Sequence, residues 1–186
     1  MPLILHIGLP KTGTTFLQKS VYNAFSNLDN PPIIYADLKF YNHQIALYEP
    51  LGQYLPWDAK PGNPENWKKL LSLLKQPTDL PVLLSSEALS CLSDEGLHKF
   101  LQIISGWRLF KVVITARALA NLLPSHWQQN MKQGGRGSLE KYAIRILKSI
   151  EADQSPAQMF CYANTIRKWR SVFKNIPIIV LFMNGS

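Results

Sequence analysis

The sequence predicts an α/β domain, a three-layer sandwich whose mainly parallel sheet of about five strands is covered by helices on both faces. Three observations carry that prediction. Short, nearly continuous apolar runs of strand length alternate along the chain with stretches of helical periodicity. Runs such as Leu3–Ile7 lack the strict polar alternation of a half-solvated strand, as expected where both faces are buried. The 186 residues, 46% hydrophobic and 17% charged, suffice for one core and are too few for two.

Taken in order, Leu3–Ile7 reads as a first strand ending at Gly8, and Leu17, Val21, Ala24, Phe25 and Leu28 then repeat at helical spacing. Ile33–Ala36 follows Pro31-Pro32 as a second short strand. From about Asp37 to Pro61 the pattern breaks into an irregular, aromatic-rich stretch, a functional or mobile connection whose Tyr41, Tyr48, Tyr54 and Trp57 form either part of the core or an apolar pocket for a reacting partner. Asn63-Pro64 supplies a cap and a first-turn proline for a helix with Trp67, Leu70, Leu71 and Leu74 on its apolar face. Val82–Leu84 is a third strand closing on Ser85-Ser86-Glu87. Ser93 caps the next helix, with Leu97, Phe100, Leu101 and Ile104 facing inward. Leu109–Thr115 is a fourth strand. Helices follow at about 119–132, 139–151 and 156–174, and Ile176–Phe182 is a last strand.

Composition narrows the function classes. Lys plus Arg number 20 against 12 Asp plus Glu, a net charge of +8, which favours anionic partners, although the cations are scattered as on an ordinary solvated surface. Cys91 and Cys161 stand far apart with no Cys/His cluster, so neither a metal site nor a disulfide framework is expected. The N-terminal apolar stretch is too short for a signal peptide, and nothing approaches the ~20 apolar residues of a membrane span. The expectation is a cytoplasmic protein with no nucleic-acid partner.

In such a sheet, ligands bind beyond the carboxyl ends of the strands. The first strand ends in Gly8-Leu9-Pro10-Lys11-Thr12-Gly13-Thr14-Thr15. Glycines let successive N–H groups turn inward, the following helix presents its positive end, Lys11 adds a full charge, and Thr12, Thr14 and Thr15 add hydroxyls. Each part suits a phosphate or sulfate. The loop is not the GxxxxGK[ST] of nucleoside-triphosphate binders, because lysine precedes the second glycine and no GK[ST] is present to hold magnesium.

The run His6-Ile7-Gly8-Leu9-Pro10-Lys11-Thr12-Gly13-Thr14-Thr15-Phe16-Leu17-Gln18 resembles the N-terminal loop of the PAPS-dependent sulfotransferases, especially their bacterial branch, hIGxxKTGTTxLQ. The resemblance implies a P-loop-like fold and PAPS (3′-phosphoadenosine 5′-phosphosulfate) as donor, with PAP as product and no metal. It implies that Pro10, Lys11, Thr12, Gly13, Thr14 and Thr15 hold the 5′-phosphosulfate, Lys11 lying between the bridging oxygen and the sulfuryl group. A second match lies about 105 residues on. Ile114-Thr115-Ala116-Arg117 leaves the fourth strand and Ser125 follows eight residues later, as in the family's RxPxDxxxS, whose arginine and serine bind the 3′-phosphate. Ala118-Leu119-Ala120-Asn121 departs from that pattern. The resemblance covers most of residues 1–186 and stops before the family's last helix and closing loop, so the expectation is a single sulfotransferase-like domain lacking that part.

Sulfuryl transfer needs a base for the acceptor's proton. Glu87, directly after the third strand, should overhang the same crevice as Lys11, and bacterial relatives often carry Ser-Ser-Glu there; a cap or ion pair is the alternative. His43 is the second candidate, and related sequences often carry an Asn-His pair there; a packing histidine is the alternative. His6, inside the first strand, reads as structural, fixing the loop. The expected acceptor is a small molecule or carbohydrate presenting a hydroxyl or amine. A catalytically silent binding module for nucleotide or polyanion is the alternative function, and a nucleotide kinase a third.

Overall fold

The computed structural model describes residues 2–35, 38, 42–52, 63–75, 78–152 and 160–183. Its elements run β1 (Pro2–Gly8), α1 (Thr14–Ser26), β2 (Ile34–Tyr35), α2 (Gln44–Leu51), α3 (Pro64–Leu74), β3 (Val82–Ser85), α4 (Asp94–Ile103), β4 (Arg108–Ala116), α5 (Leu119–Lys132), α6 (Leu139–Glu151), α7 (Tyr162–Val172) and β5 (Ile178–Phe182). A short 3₁₀ turn at Glu87–Cys91 links β3 to α4. The caps fall where the sequence put them. Asn63 Oδ1 accepts from the Glu65 N–H at 2.9 Å, and Ser93 Oγ accepts from the Gly96 N–H at 3.0 Å.

The five strands pair in the order β2-β3-β1-β4-β5, all in parallel. Right-handed crossovers then place α1 on one face and α2, α3, α4 and α7 on the other. On that second face Leu3, Leu5, Ile7, Val82, Leu84, Val112 and Ile114 pack against Leu47, Leu51, Leu70, Leu74, Leu97, Phe100 and Trp169 in one core. Trp169 anchors it, edge-on to Phe100 at 6.0 Å and stacked on Phe173 at 5.8 Å. Because β1 is central, the chain leaves β1 toward one sheet edge and leaves β3 toward the other. The loops after these neighbouring strands diverge, and a crevice opens above them.

Two expectations need correction. The irregular stretch contains α2, whose Tyr48 is fully buried and belongs to a small cluster with Ala88; Tyr41, Tyr54 and Trp57 lie outside the described residues, as do Ala36 and the expected start of the last helix. On α1 the residues buried deepest are Thr14 and Gln18, whereas Ala24 is exposed and Leu28 lies beyond the helix, 49% exposed. This helix meets the sheet through Thr14 and Gln18 at its start and through the partly buried Leu17 and Val21, which line a space shared with Ile4, Leu83 and Val113.

Gly8 is where α1 and β1 come closest. A Cβ there would collide with Oγ1 and Cγ2 of Thr14, a short side chain with no room to swing away. Gly8→Ala should therefore push the start of α1 off the strand and cost about 1–3 kcal/mol, read as a lowered urea midpoint. An unchanged midpoint would mean that this contact is not tight.

Candidate active site

The loop 8–15 is bent by two left-handed residues, Lys11 at φ 62° and Gly13 at φ 81°. Glycine adopts this conformation readily; a lysine there is strained and must be held by its surroundings. What holds it is a chain of buried polar groups. Thr12 Oγ1 donates to the Leu9 carbonyl at 2.6 Å and lies 3.0 Å from Thr115 Oγ1 on β4. Thr115 Oγ1 in turn is 3.3 Å from His6 Nε2, and His6 Nδ1 is 2.6 Å from Ser85 Oγ on β3. Gln18 Nε2 donates to the same Ser85 hydroxyl at 3.0 Å. Loop, three strand ends and α1 are thus tied by side chains from β1, β3 and β4. Burial lowers the His6 pKa to about 4, so the ring is neutral near neutrality.

Above this chain lies a crevice of about 650 Å³, walled by Pro10, Lys11, Gly13, Thr14, Thr15, Phe16, Lys19, Asn42, Gln44, Glu87 and Ser125. The first-turn N–H groups of α1 have no intrahelical acceptors, and the helix dipole adds positive potential there. Lys11 Nζ donates to Gln129 Oε1 on α5 at 3.1 Å. Burial pushes the Glu87 carboxyl up to about 7, against the opposing pull of the Thr14 hydroxyl and the Lys11 charge. A carboxyl poised near neutrality beside a lysine is the environment a general base needs.

Most of the residues expected at the site line this one crevice: Pro10, Lys11, Gly13, Thr14, Thr15, Glu87 and Ser125. Three do not. Arg117 is not among the lining residues; its Nη1 donates to the Lys11 carbonyl at 3.5 Å, so it braces the strained residue from beside the crevice. Thr12 is buried and spends both its hydroxyl and its N–H on the Leu9 carbonyl. His43 is completely buried, its Nδ1 accepting from the Ser85 N–H at 3.0 Å and its ring against Tyr35 at 4.5 Å. That position fixes the end of β3 and offers no path to an incoming molecule. His6 is structural, as read.

Gln129, Phe16, Lys19 and Gln44 escaped the sequence reading. Spacing held a signal for two of them: Gln129 is four residues past Ser125 on α5, and Lys19 four past Thr15 on α1, each on the same helix face. Phe16 is 72% exposed at the crevice lip, where periodicity carries no information.

Compared with known proteins, no family model matches the chain and no curated protein sequence matches it. Among solved structures, a sulfotransferase from Alicyclobacillus acidocaldarius superposes with a TM-score of 0.62, covering 98% of this chain and 73% of that one at 13% identity. The fold is shared. The chain has a mixed α/β, P-loop-like architecture with a mostly parallel sheet flanked by helices. A gluconokinase from Sinorhizobium meliloti, 12% identical over 100% of this chain and 84% of that one, overlaps at a TM-score of 0.38, too low to bear on the argument. Among the described residues no helix is long and apolar enough to cross a membrane.

Proposed function

We propose that this single domain transfers a sulfuryl group from PAPS to a hydroxyl or amine of a small-molecule or carbohydrate acceptor. The observation that carries the proposal is that Lys11, the first turn of α1, Glu87 and Ser125 share one crevice of about 650 Å³, although they are distant in sequence. Lys11 and the N–H groups of Gly13, Thr14 and Thr15 hold the 5′-phosphosulfate. Ser125, with Arg117 at the margin, takes the 3′-phosphate. Glu87 accepts the acceptor's proton as its oxygen or nitrogen attacks sulfur in line. The bond from sulfur to the bridging oxygen breaks, and Lys11 neutralises the charge that gathers on the departing phosphate. Of the two candidate bases we assign Glu87, since His43 is sealed in the interior.

A thermal-shift titration tests the donor without knowledge of the acceptor. Adenosine 3′,5′-bisphosphate should raise Tm well above the shift given by AMP at equal concentration. Equal shifts would remove the 3′-phosphate role of Arg117 and Ser125. A larger shift from ATP would favour a kinase.

A further inference from the structure

We infer that one flank of α6, remote from the crevice, is a docking groove for a linear acidic polysaccharide. This does not depend on the reaction proposed above. The helix turns Tyr142 and Ile146 toward Leu122 and Leu123 of α5, in a cluster separate from the main core. Its outer side carries Lys141, Ile144, Arg145, Leu147 and Lys148, all exposed. Lys141, Arg145 and Lys148 climb one flank, about 6 and 4.5 Å apart along the axis. With Ile144, Ser149 and Ala152 they line a groove of about 510 Å³. Among the described residues the ion pairs involve Lys68, Lys99 and Lys168, so none of these three cations has an acidic partner. The Arg145 guanidinium lies 5.2 Å from the centre of the Tyr142 ring, which fixes its place in the row.

Three uncompensated cations in a row repel one another and are relieved by an anion that extends along all three. A single phosphate spans too little. A second copy of the chain docked two-fold through this flank would set the same cations against each other. An anionic membrane is a broad plane and would also cover the side of the helix that carries Leu147, Glu140 and Glu151, whereas a thin chain laid along the flank of Lys141, Arg145 and Lys148 leaves that side to solvent. A single-stranded nucleic acid relies on aromatic faces for its bases. Among the described residues the lining offers none, and Arg145 lies over the Tyr142 ring. A sugar chain bearing carboxylates or sulfates matches what is present: cations in register, the Ser149 oxygen for hydroxyls, and Ile144 for C–H faces.

The test measures binding of fluorescein-labelled polygalacturonate and dextran sulfate to the full chain at about 0.15 M salt. Neutral dextran, oligothymidylate and phosphatidylglycerol vesicles serve as comparisons. Two triple variants each remove three exposed cations: Lys141→Gln, Arg145→Gln, Lys148→Gln in one, and Lys75→Gln, Arg170→Gln, Lys174→Gln in the other. The α6 variant should lose at least about tenfold in affinity for both acidic polysaccharides, and the matched variant no more than about threefold. The pair Lys141→Gln and Lys148→Gln, which spares the Arg145–Tyr142 contact, should show most of the loss if the triple variant does not fold. Equal losses in the two triples would reduce the effect to net charge and overturn the assignment. Tighter binding of oligothymidylate or vesicles, lost in the α6 variant, would overturn it in favour of nucleic acid or membrane.

Discussion

Lys11→Ala should end turnover and weaken binding of adenosine 3′,5′-bisphosphate by about 10–100-fold. The substitution removes the only formal charge in the loop, at the place where, in the proposed reaction, negative charge gathers as the sulfuryl group departs. Alanine keeps a Cβ, so the left-handed strain at this position, φ 62°, is unrelieved, and the Arg117 brace is made to the backbone and survives. The loss is therefore one of charge with the loop's shape retained. Two readings separate the contributions: affinity for the bisphosphate by calorimetry, and transfer from labelled PAPS to any acceptor found. Because the missing contact is stronger in the transition state than in the bound product, the fall in kcat should exceed the fall in affinity. A Lys11→Ala protein with full activity would remove the mechanism.

Glu87→Gln should bind the bisphosphate normally and lose about 10²–10⁴-fold in kcat. Glutamine keeps the size and much of the hydrogen bonding of the side chain but takes no proton. The carboxyl titrates at about 7 in this environment, so kcat/KM of the parent protein should rise with pH through that value as the base ionises, and the limb should vanish in Glu87→Gln. The sign for stability is opposite. A carboxyl whose folded pKa is raised above its ordinary 4.5 stabilises the fold below that value, and this contribution is lost as pH rises toward 7. Activity should therefore grow over the same interval in which this group's contribution to folding falls. A variant with unchanged turnover would return Glu87 to a capping or electrostatic role.

How far the sequence was legible depended on whether a residue's role was set locally. Helix caps and the turn after the first strand are local matters: Asn63 and Ser93 cap their helices as expected, and the loop with Lys11 lies between β1 and α1 and lines the crevice. The helix α2 was missed because Gln44, Ala46, Leu47, Tyr48 and Leu51 are all buried. A helix covered nearly all round shows no apolar stripe, and Pro50 reads as a breaker. The roles of His43 and Thr12 depend on partners far along the chain, Ser85 and Thr115, and nothing in the flanking residues announces them. For α1 the periodic apolar residues gave the helix and part of its inner face, Leu17 and Val21, but not Thr14 and Gln18, which the polar chain beneath the loop takes.

That polar chain has a direction. It begins at a group that only donates on this path, the Gln18 amide nitrogen, and ends at one that only accepts, the Leu9 carbonyl. One arrangement satisfies every link in a single direction: Ser85 donates to His6 Nδ1, the proton on His6 Nε2 goes to Thr115, and Thr115 donates to Thr12. In that arrangement His6 is neutral, and a second proton on the ring would oblige the Ser85 hydroxyl to turn from His6 to its other neighbour, Tyr35. With the ring's pKa at about 4, that rearrangement is deferred to acid. Between about pH 5 and 8, the interval in which histidines commonly switch, the frame under the loop stays in a single protonation state. In this proton economy the scaffold stays constant while the carboxylate at its rim titrates, and a pH profile of catalysis reads Glu87 against a fixed background.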